Sequence, residues 1–139
     1  MSAKQEESHA IIDKYFIAWN TGNLEMFDEL LADGYINHTP SLPNHADVEG
    51  LKKIVALIRQ GFPDIHYKIE RIAAEGDLVA VQTYVTGTNS GTLFGKPPTG
   101  KKIAVNQIQF EQIKDGKIIQ HWRVTDELLM DKQLHGQAL

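Results

Sequence analysis

Along the first third of the chain, apolar residues recur at helical spacing. Ile11, Ile12, Tyr15, Phe16 and Trp19 fall on one stripe, which predicts a helix from about Ala3 to Asn20. Thr21-Gly22 ends it, with Gly22 suited to a left-handed terminal position. Asn23 can cap a second helix that buries Leu24, Phe27, Leu30 and Leu31, with Glu25 in its first turn where negative charge suits the helix dipole. A third helix is expected to start at Asp47, to carry Leu51, Ile54, Val55 and Ile58 inward, and to stop at Gly61 and Pro63. The intervening YINHTPSLPN reads as extended, then broken by Pro40 and Pro43.

From Asp64 onward the period changes to two. Ile65, Tyr67 and Ile69 alternate with His66, Lys68 and Glu70, the pattern of a half-buried strand. Gly76-Asp77 turns the chain into a second strand, Leu78 to about Thr88. A glycine-rich loop, GTNSGTLFGKPPTGKK, leads to strands Ile103–Ile113 and Lys117–Thr125, joined by the hairpin pair Asp115-Gly116. Three helices followed by an antiparallel meander make an α+β class. If pairing runs in step from Lys114 opposite Lys117, Phe110 faces His121, Ile108 faces Arg123 and Asn106 faces Thr125. The other sheet face then holds Glu111 opposite Gln120, Gln109 opposite Trp122 and Val105 opposite Asp126. Both faces mix apolar and polar residues. A sheet of that kind is expected to be covered on one side by its own helices and on the other by a second copy, making a homodimer. Slipping the register by one residue would exchange the faces.

Composition narrows the possible chemistry. The 139 residues are 42% apolar and 23% charged, enough for a single domain spanning 1–139 with its own core. Fourteen Lys+Arg against eighteen Asp+Glu give a net charge of −4, which argues against a nucleic-acid partner. There is no cysteine, so disulfides, thiolate nucleophiles and Cys-ligated metals are excluded. The longest apolar runs are too short to span a bilayer, and MSAKQEESHA lacks a signal-peptide core, so a cytoplasmic protein without membrane contact is expected. The six histidines show no H-x-H, H-x-x-x-H or H-E-x-x-H spacing, and no metal site is expected. PPTGKK lacks the spacing of a phosphate-binding loop and joins two strands rather than a strand and a helix.

Four segments carry a resemblance: AWNTGNLEMFDELLADGYINHTP, GFPDIHYKIERIAAEGDLVAV, GTNSGTLFGKPPTGKKI and FEQIKDGKIIQHWRVTDELLMDKQL. Together they resemble the SnoaL-like polyketide cyclases of the NTF2-like, or ketosteroid-isomerase-like, superfamily; G-x-PPTGK and DGKI-x-x-HW are the more specific motifs. The resemblance implies a cone-shaped fold in which a curved antiparallel sheet packs on three N-terminal helices around one deep pocket. It also implies dimers and cofactor-independent acid–base chemistry on a small apolar carbonyl compound, as in aldol ring closure or isomerisation. A non-catalytic binder of small hydrophobic ligands is the alternative on the same fold.

Ketosteroid isomerases place an aspartate base in the segment resembling LADGYINHTP, where this chain has Asn37, His38 and Thr39. Related cyclases and epoxide hydrolases use an aspartate on the last strand, where this chain has Arg123. Asn89 stands where many relatives have histidine. The catalytic candidates are therefore His38, whose imidazole exchanges protons near neutrality, with Asp126 as the nearest acid and His121 as proton donor. Each also has a structural reading, His38 as a turn cap and His121 as a core or interface histidine. Arg123 is a candidate to hold a carboxylate or enolate oxygen, and Asn106 to donate to a carbonyl. Phe110 and Ile108 share that predicted face, while Tyr15 and Trp19 would line the pocket from the first helix or simply pack in the core.

Overall fold

The structure, a computed structural model, describes residues 1–136. Residues 137–139, the end of the span read as one domain, lie outside the described residues. The order of elements is α1 (Ala3–Thr21), α2 (Met26–Leu30), β1 (Leu31–Asn37), α3 (Val48–Gly61), β2 (His66–Glu75), β3 (Leu78–Thr88), β4 (Lys102–Lys114), β5 (Lys117–Thr125) and α4 (Glu127–His135). The strands form one sheet in the order β1-β5-β4-β3-β2. It is antiparallel except where β1 lies parallel to β5. This is the α+β arrangement the periodicity predicts.

The local signals account for the boundaries. Gly22 ends α1 with φ 74°, and the Asp47 side chain accepts from Gly50 N–H to cap α3. Asp115 and Gly116 both have positive φ, as a two-residue hairpin whose twist matches its strands requires. The second helix is a single short turn that starts after Glu25 rather than Asn23, with no side-chain cap, and it ends before Leu31 because that residue already belongs to β1. A fourth helix, α4, follows the sheet and adds to the three expected; Asp126 caps it by accepting from Leu129 N–H.

The helices fill the concave side of the sheet. Phe27, Ile12, Val55, Val79, Val81 and Ile118 are fully buried in one shared core. Polar ties fix α1 across it. The Asn20 side chain both donates to Tyr67 carbonyl (3.1 Å) and accepts from Tyr67 N–H (2.7 Å) on β2. Arg59, near the end of α3, donates to the carbonyls of Trp19 and Asn20, each at 3.0 Å, satisfying groups the end of α1 leaves open.

The loop between β3 and β4 is held by the buried Asn89. Its amide donates to the carbonyls of Gly61 (3.1 Å) and Gly91 (3.0 Å), and its carbonyl accepts from Thr99 N–H (2.9 Å). At Gly91 a Cβ would lie 2.0 Å from the Gln60 carbonyl oxygen, so glycine is what allows the loop to press on the end of α3. Asn89 thus serves as a latch for the loop whose Leu93 and Phe94 line the inner hollow.

The β4–β5 hairpin corrects the expected pairing. Lys114 opposes Lys117 and Ile113 opposes Ile118, but the next pair is Gln112 with Gln120. Ile119 is an extra residue, a β-bulge. Beyond it Glu111 pairs with His121, Gln109 with Arg123, Gln107 with Thr125, Phe110 with Trp122 and Ile108 with Val124. The one-residue slip reverses the facing of β5 against β4. The row Val105, Gln107, Gln109, Glu111 turns inward and is buried, while Asn106, Ile108 and Phe110 turn outward.

Candidate functional site

Two adjoining hollows open on the concave side. The narrower, about 30 Å³, lies between α1 and the β1–β5 edge and is touched by Tyr15, Trp19, Asn37, Gln107, His121 and Arg123. The wider, about 230 Å³, is mostly apolar, with Phe62, Ile65, Val85, Leu93, Ile103 and Met130 among its walls. They share Ser41, Ile58, Tyr67, Gln107 and Arg123.

The chemistry concentrates where β4 and β5 face inward. Glu111, fully buried, accepts at Oε1 from Gln109 Nε2 (2.7 Å) and pairs through the same oxygen with His121 Nδ1. With Nδ1–H given to the carboxylate, His121 is fixed in orientation and tautomer. His121 Nε2 has no hydrogen-bond partner among the described residues, and the ring lines the narrow hollow. Upstream, Arg123 Nη1 donates to Thr125 Oγ1 (3.0 Å), Thr125 Oγ1 to Gln107 Oε1 (2.9 Å) and Gln107 Nε2 to Gln109 Oε1 (2.8 Å). An unbroken donor-to-acceptor chain therefore runs from the guanidinium to Glu111.

Beside the imidazole, Asn37 and His121 are direct partners in the parallel β1–β5 pair. Asn37 Oδ1 accepts from Thr39 N–H at 2.9 Å, which leaves its Nδ2 donors for the hollow that the residue lines. Burial pushes the phenols of Tyr15 and Tyr67 well above the ordinary tyrosine range, with the nearby Glu111 charge adding to the effect at Tyr15. Both stay protonated at neutral pH. Arg123 Nη2 donates to Thr39 carbonyl (3.0 Å) and Ser41 Oγ (3.3 Å). Among the described residues, no group of three or more His, Asp or Glu is placed to hold a metal ion, and no helix is long and apolar enough to cross a membrane.

Comparison with known proteins places the chain in a family. The family model described as SnoaL-like polyketide cyclase matches residues 9–134. The chain belongs to the SnoaL-like polyketide cyclases. Nogalonic acid methyl ester cyclase of Streptomyces nogalater is 31% identical over 109 residues, 75% of this chain and 79% of that protein. The aklanonic acid methyl ester cyclase DauD of Streptomyces sp. (strain C5) is 30% identical, covering 84% of this chain and 74% of its own. Among solved structures, IdmH from Streptomyces antibioticus superposes with a TM-score of 0.81 at 30% identity, over 91% of this chain and 97% of that one. TsrD from Streptomyces laurentii reaches 0.85 at 22%, over 99% of each chain, a likeness of fold. The cone-shaped NTF2-like architecture is thereby established.

Within this SnoaL-like frame, the residues singled out by sequence separate cleanly. Tyr15, Trp19, His121 and Arg123 meet at the narrow hollow. His38 does not: alternation along β1 sends Asn37 inward and His38 outward. There its ring stacks on Trp122 (centroids 4.7 Å apart, planes 5° apart) and Nε2 meets Gln120 Oε1 at 2.7 Å. Asp126 is exposed and occupied as the cap of α4. Asn106, Ile108 and Phe110 lie on the outer face, parted from His121 and Arg123 by the Ile119 bulge in β5, and Asn106 Oδ1 accepts from Gln82 there. The expectation that these three line the pocket is corrected. Asn37, Gln107, Glu111 and Tyr67 were not among the candidates. Asn37 could have been found from its place beside His38 in LADGYINHTP, the segment that resembles the base-bearing stretch of ketosteroid isomerases. Glu111 lay on the face opposite His121 in the unbulged register.

The buried phenols give a pH prediction. Tyr15, Tyr35 and Tyr67 all have folded-state values raised mainly by desolvation. Their contribution to stability is therefore complete below the unfolded value of about 10 and is lost as pH rises above it, where the unfolded chain ionises first. Urea unfolding between pH 8 and 11.5, ranges chosen around that value of about 10, should show stability falling from its upper half. The absorbance of three tyrosinates should appear together with unfolding rather than before it.

Proposed function

We propose that the chain is a cyclase that closes a ring in a small, mostly apolar carbonyl compound by intramolecular aldol addition, using acid–base groups of the protein and no cofactor. The observation that carries this reading is His121, anchored through Nδ1 on buried Glu111 with Nε2 toward the hollow. Nε2 takes the proton from the carbon alpha to a carbonyl. The enolate oxygen that forms is held by Asn37 Nδ2 and by the neutral Tyr15 hydroxyl, donors already in place before charge develops. The enolate carbon attacks a second carbonyl of the same molecule, one C–C bond forms, and the new alkoxide recovers the proton from His121. The step balances within one molecule. The apolar hollow accommodates the substrate body, and its walls exclude the water that would compete for the enolate.

The partner of the chain is a second copy of itself. Ile36, Ile108, Phe110 and Val124 are 47%, 52%, 44% and 75% exposed on the outer sheet face, beside the His38–Trp122 stack. Pairing two such faces about a two-fold axis covers all of them at once.

Aryl-substituted 1,5-diketones, which cyclise by this reaction, serve as probes, with products followed by chromatography. His121→Ala should lower kcat by about 10²–10⁴-fold. Glu111→Gln should lower kcat with KM nearly unchanged, since it alters the imidazole rather than the substrate contacts. Normal turnover by His121→Ala would remove the assignment, and ligand recovered unchanged after prolonged incubation with the native protein would mark a binding protein instead. For the partner, mass measurement at micromolar concentration should give twice the 15.6 kDa chain, and Val124→Glu should shift it toward one. A native monomer would contradict the pairing.

A further inference from the structure

We infer that the site selects a substrate carrying a free carboxylate, and that Arg123 is the residue that recognises it. This rests on reading the two hollows as one substrate site. Arg123 lines both of them, at their shared wall, and also a shallower surface hollow beside Thr39 and Pro40. It is the only Arg or Lys to do so among the described residues. Its guanidinium is held by the Thr39 carbonyl and the hydroxyls of Ser41 and Thr125, all of them neutral. Among the described residues it makes no ion pair.

Neither acid nearby contacts the guanidinium directly. Glu111 is engaged by His121 and Gln109, and exposed Glu127 stands at the rim of the wider hollow outside ion-pair distance. A half-buried cation in direct contact only with neutral acceptors lacks an ion-pair partner, and a bound anion of matching planar shape supplies one. A carboxylate suits the site better than a phosphate group. Once the long contact to Ser41 Oγ (3.3 Å) gives way, Nη2 and the free Nε–H offer a fork for two carboxylate oxygens, whereas a phosphate dianion calls for further cations or a nest of backbone N–H groups.

Size narrows the class. The wider hollow, about 230 Å³, falls below the roughly 300 Å³ at which drug-sized pockets begin, which favours a small apolar body. The two curated relatives named above are methyl ester cyclases. A methyl ester has no charge to offer Arg123. This chain is therefore set apart as a cyclase for a small keto acid, its carboxylate on Arg123 and its alpha carbon toward His121.

The probes are 2-naphthoate and its methyl ester, titrated by calorimetry into the native protein and its variants, so that the readout does not depend on turnover. Naphthoate should bind native protein at least tenfold more tightly than the ester. Arg123→Gln should abolish that preference while leaving ester affinity within about twofold, and Arg123→Lys should keep part of it by retaining charge without the fork. His121→Ala should retain the preference, which separates this inference from the cyclase reading. If His121→Ala also turned over diketones normally, the cyclase would fall and the carboxylate site would stand. Equal binding of acid and ester to native protein, a preference that survives in folded Arg123→Gln, or no binding of either probe at millimolar concentration would overturn the inference.

Discussion

Glu111 buried beneath the sheet is the constraint around which the rest of the site is arranged. A carboxylate removed from water carries a penalty of several kcal/mol unless hydrogen bonds replace its hydration. Gln109 and His121 provide that replacement at Oε1, while Oε2 has no partner among the described residues. The carboxylate therefore depends on the imidazole as much as the imidazole depends on it. Removing His121 takes away one of the two hydrogen bonds that stand in for that hydration, a loss that typically costs about 1–3 kcal/mol and more for a charged group. Stability and chemistry here are two consequences of one contact.

The contact exists because of one inserted residue. Without the bulge at Ile119, strict alternation would put Glu111 opposite Gln120 and turn His121 and Arg123 toward the face that carries Ile108 and Phe110. With it, Gln107, Gln109 and Glu111 on β4 meet Thr125, Arg123 and His121 on β5, and the polar chain closes without a gap. The same slip turns Trp122 and Val124 of β5 to the outer face, beside Ile108 and Phe110 of β4, where Ile108 and Val124 remain exposed. Bulges of this kind re-aim side chains at sheet edges and active sites, and this one decides both the inner chemistry and the outer surface.

Much of the fold was legible in the sequence because its signals are local. The stripe Ile11–Trp19, the Asp47 cap and the Asp115-Gly116 turn each act within a few residues. The candidates Tyr15, Trp19, His121 and Arg123 do line one hollow, although for Tyr15 and Trp19 the sequence leaves pocket wall and core packing open. Which face a strand residue takes was not, since parity depends on counting every residue from the turn and a bulge breaks the count. Glu111 was missed for a second reason: an inward-facing acid contradicts the rule that polar residues face water, and only its partners make it tolerable. At β1 the imidazole of His38 drew notice by its chemistry, yet Asn37 next to it occupies the inner position.

The central claim is that Glu111 holds the Nδ1 proton of His121 and leaves Nε2 bare toward the hollow. Nitrogen-15 NMR of the histidine ring at mildly alkaline pH reads this directly, with Glu111→Gln as the reference. The account predicts for native His121 a protonated Nδ1 and an unprotonated Nε2, with the tautomer bias weakened in Glu111→Gln. An Nε2-protonated ring with Nδ1 accepting from a protonated Glu111 would contradict it.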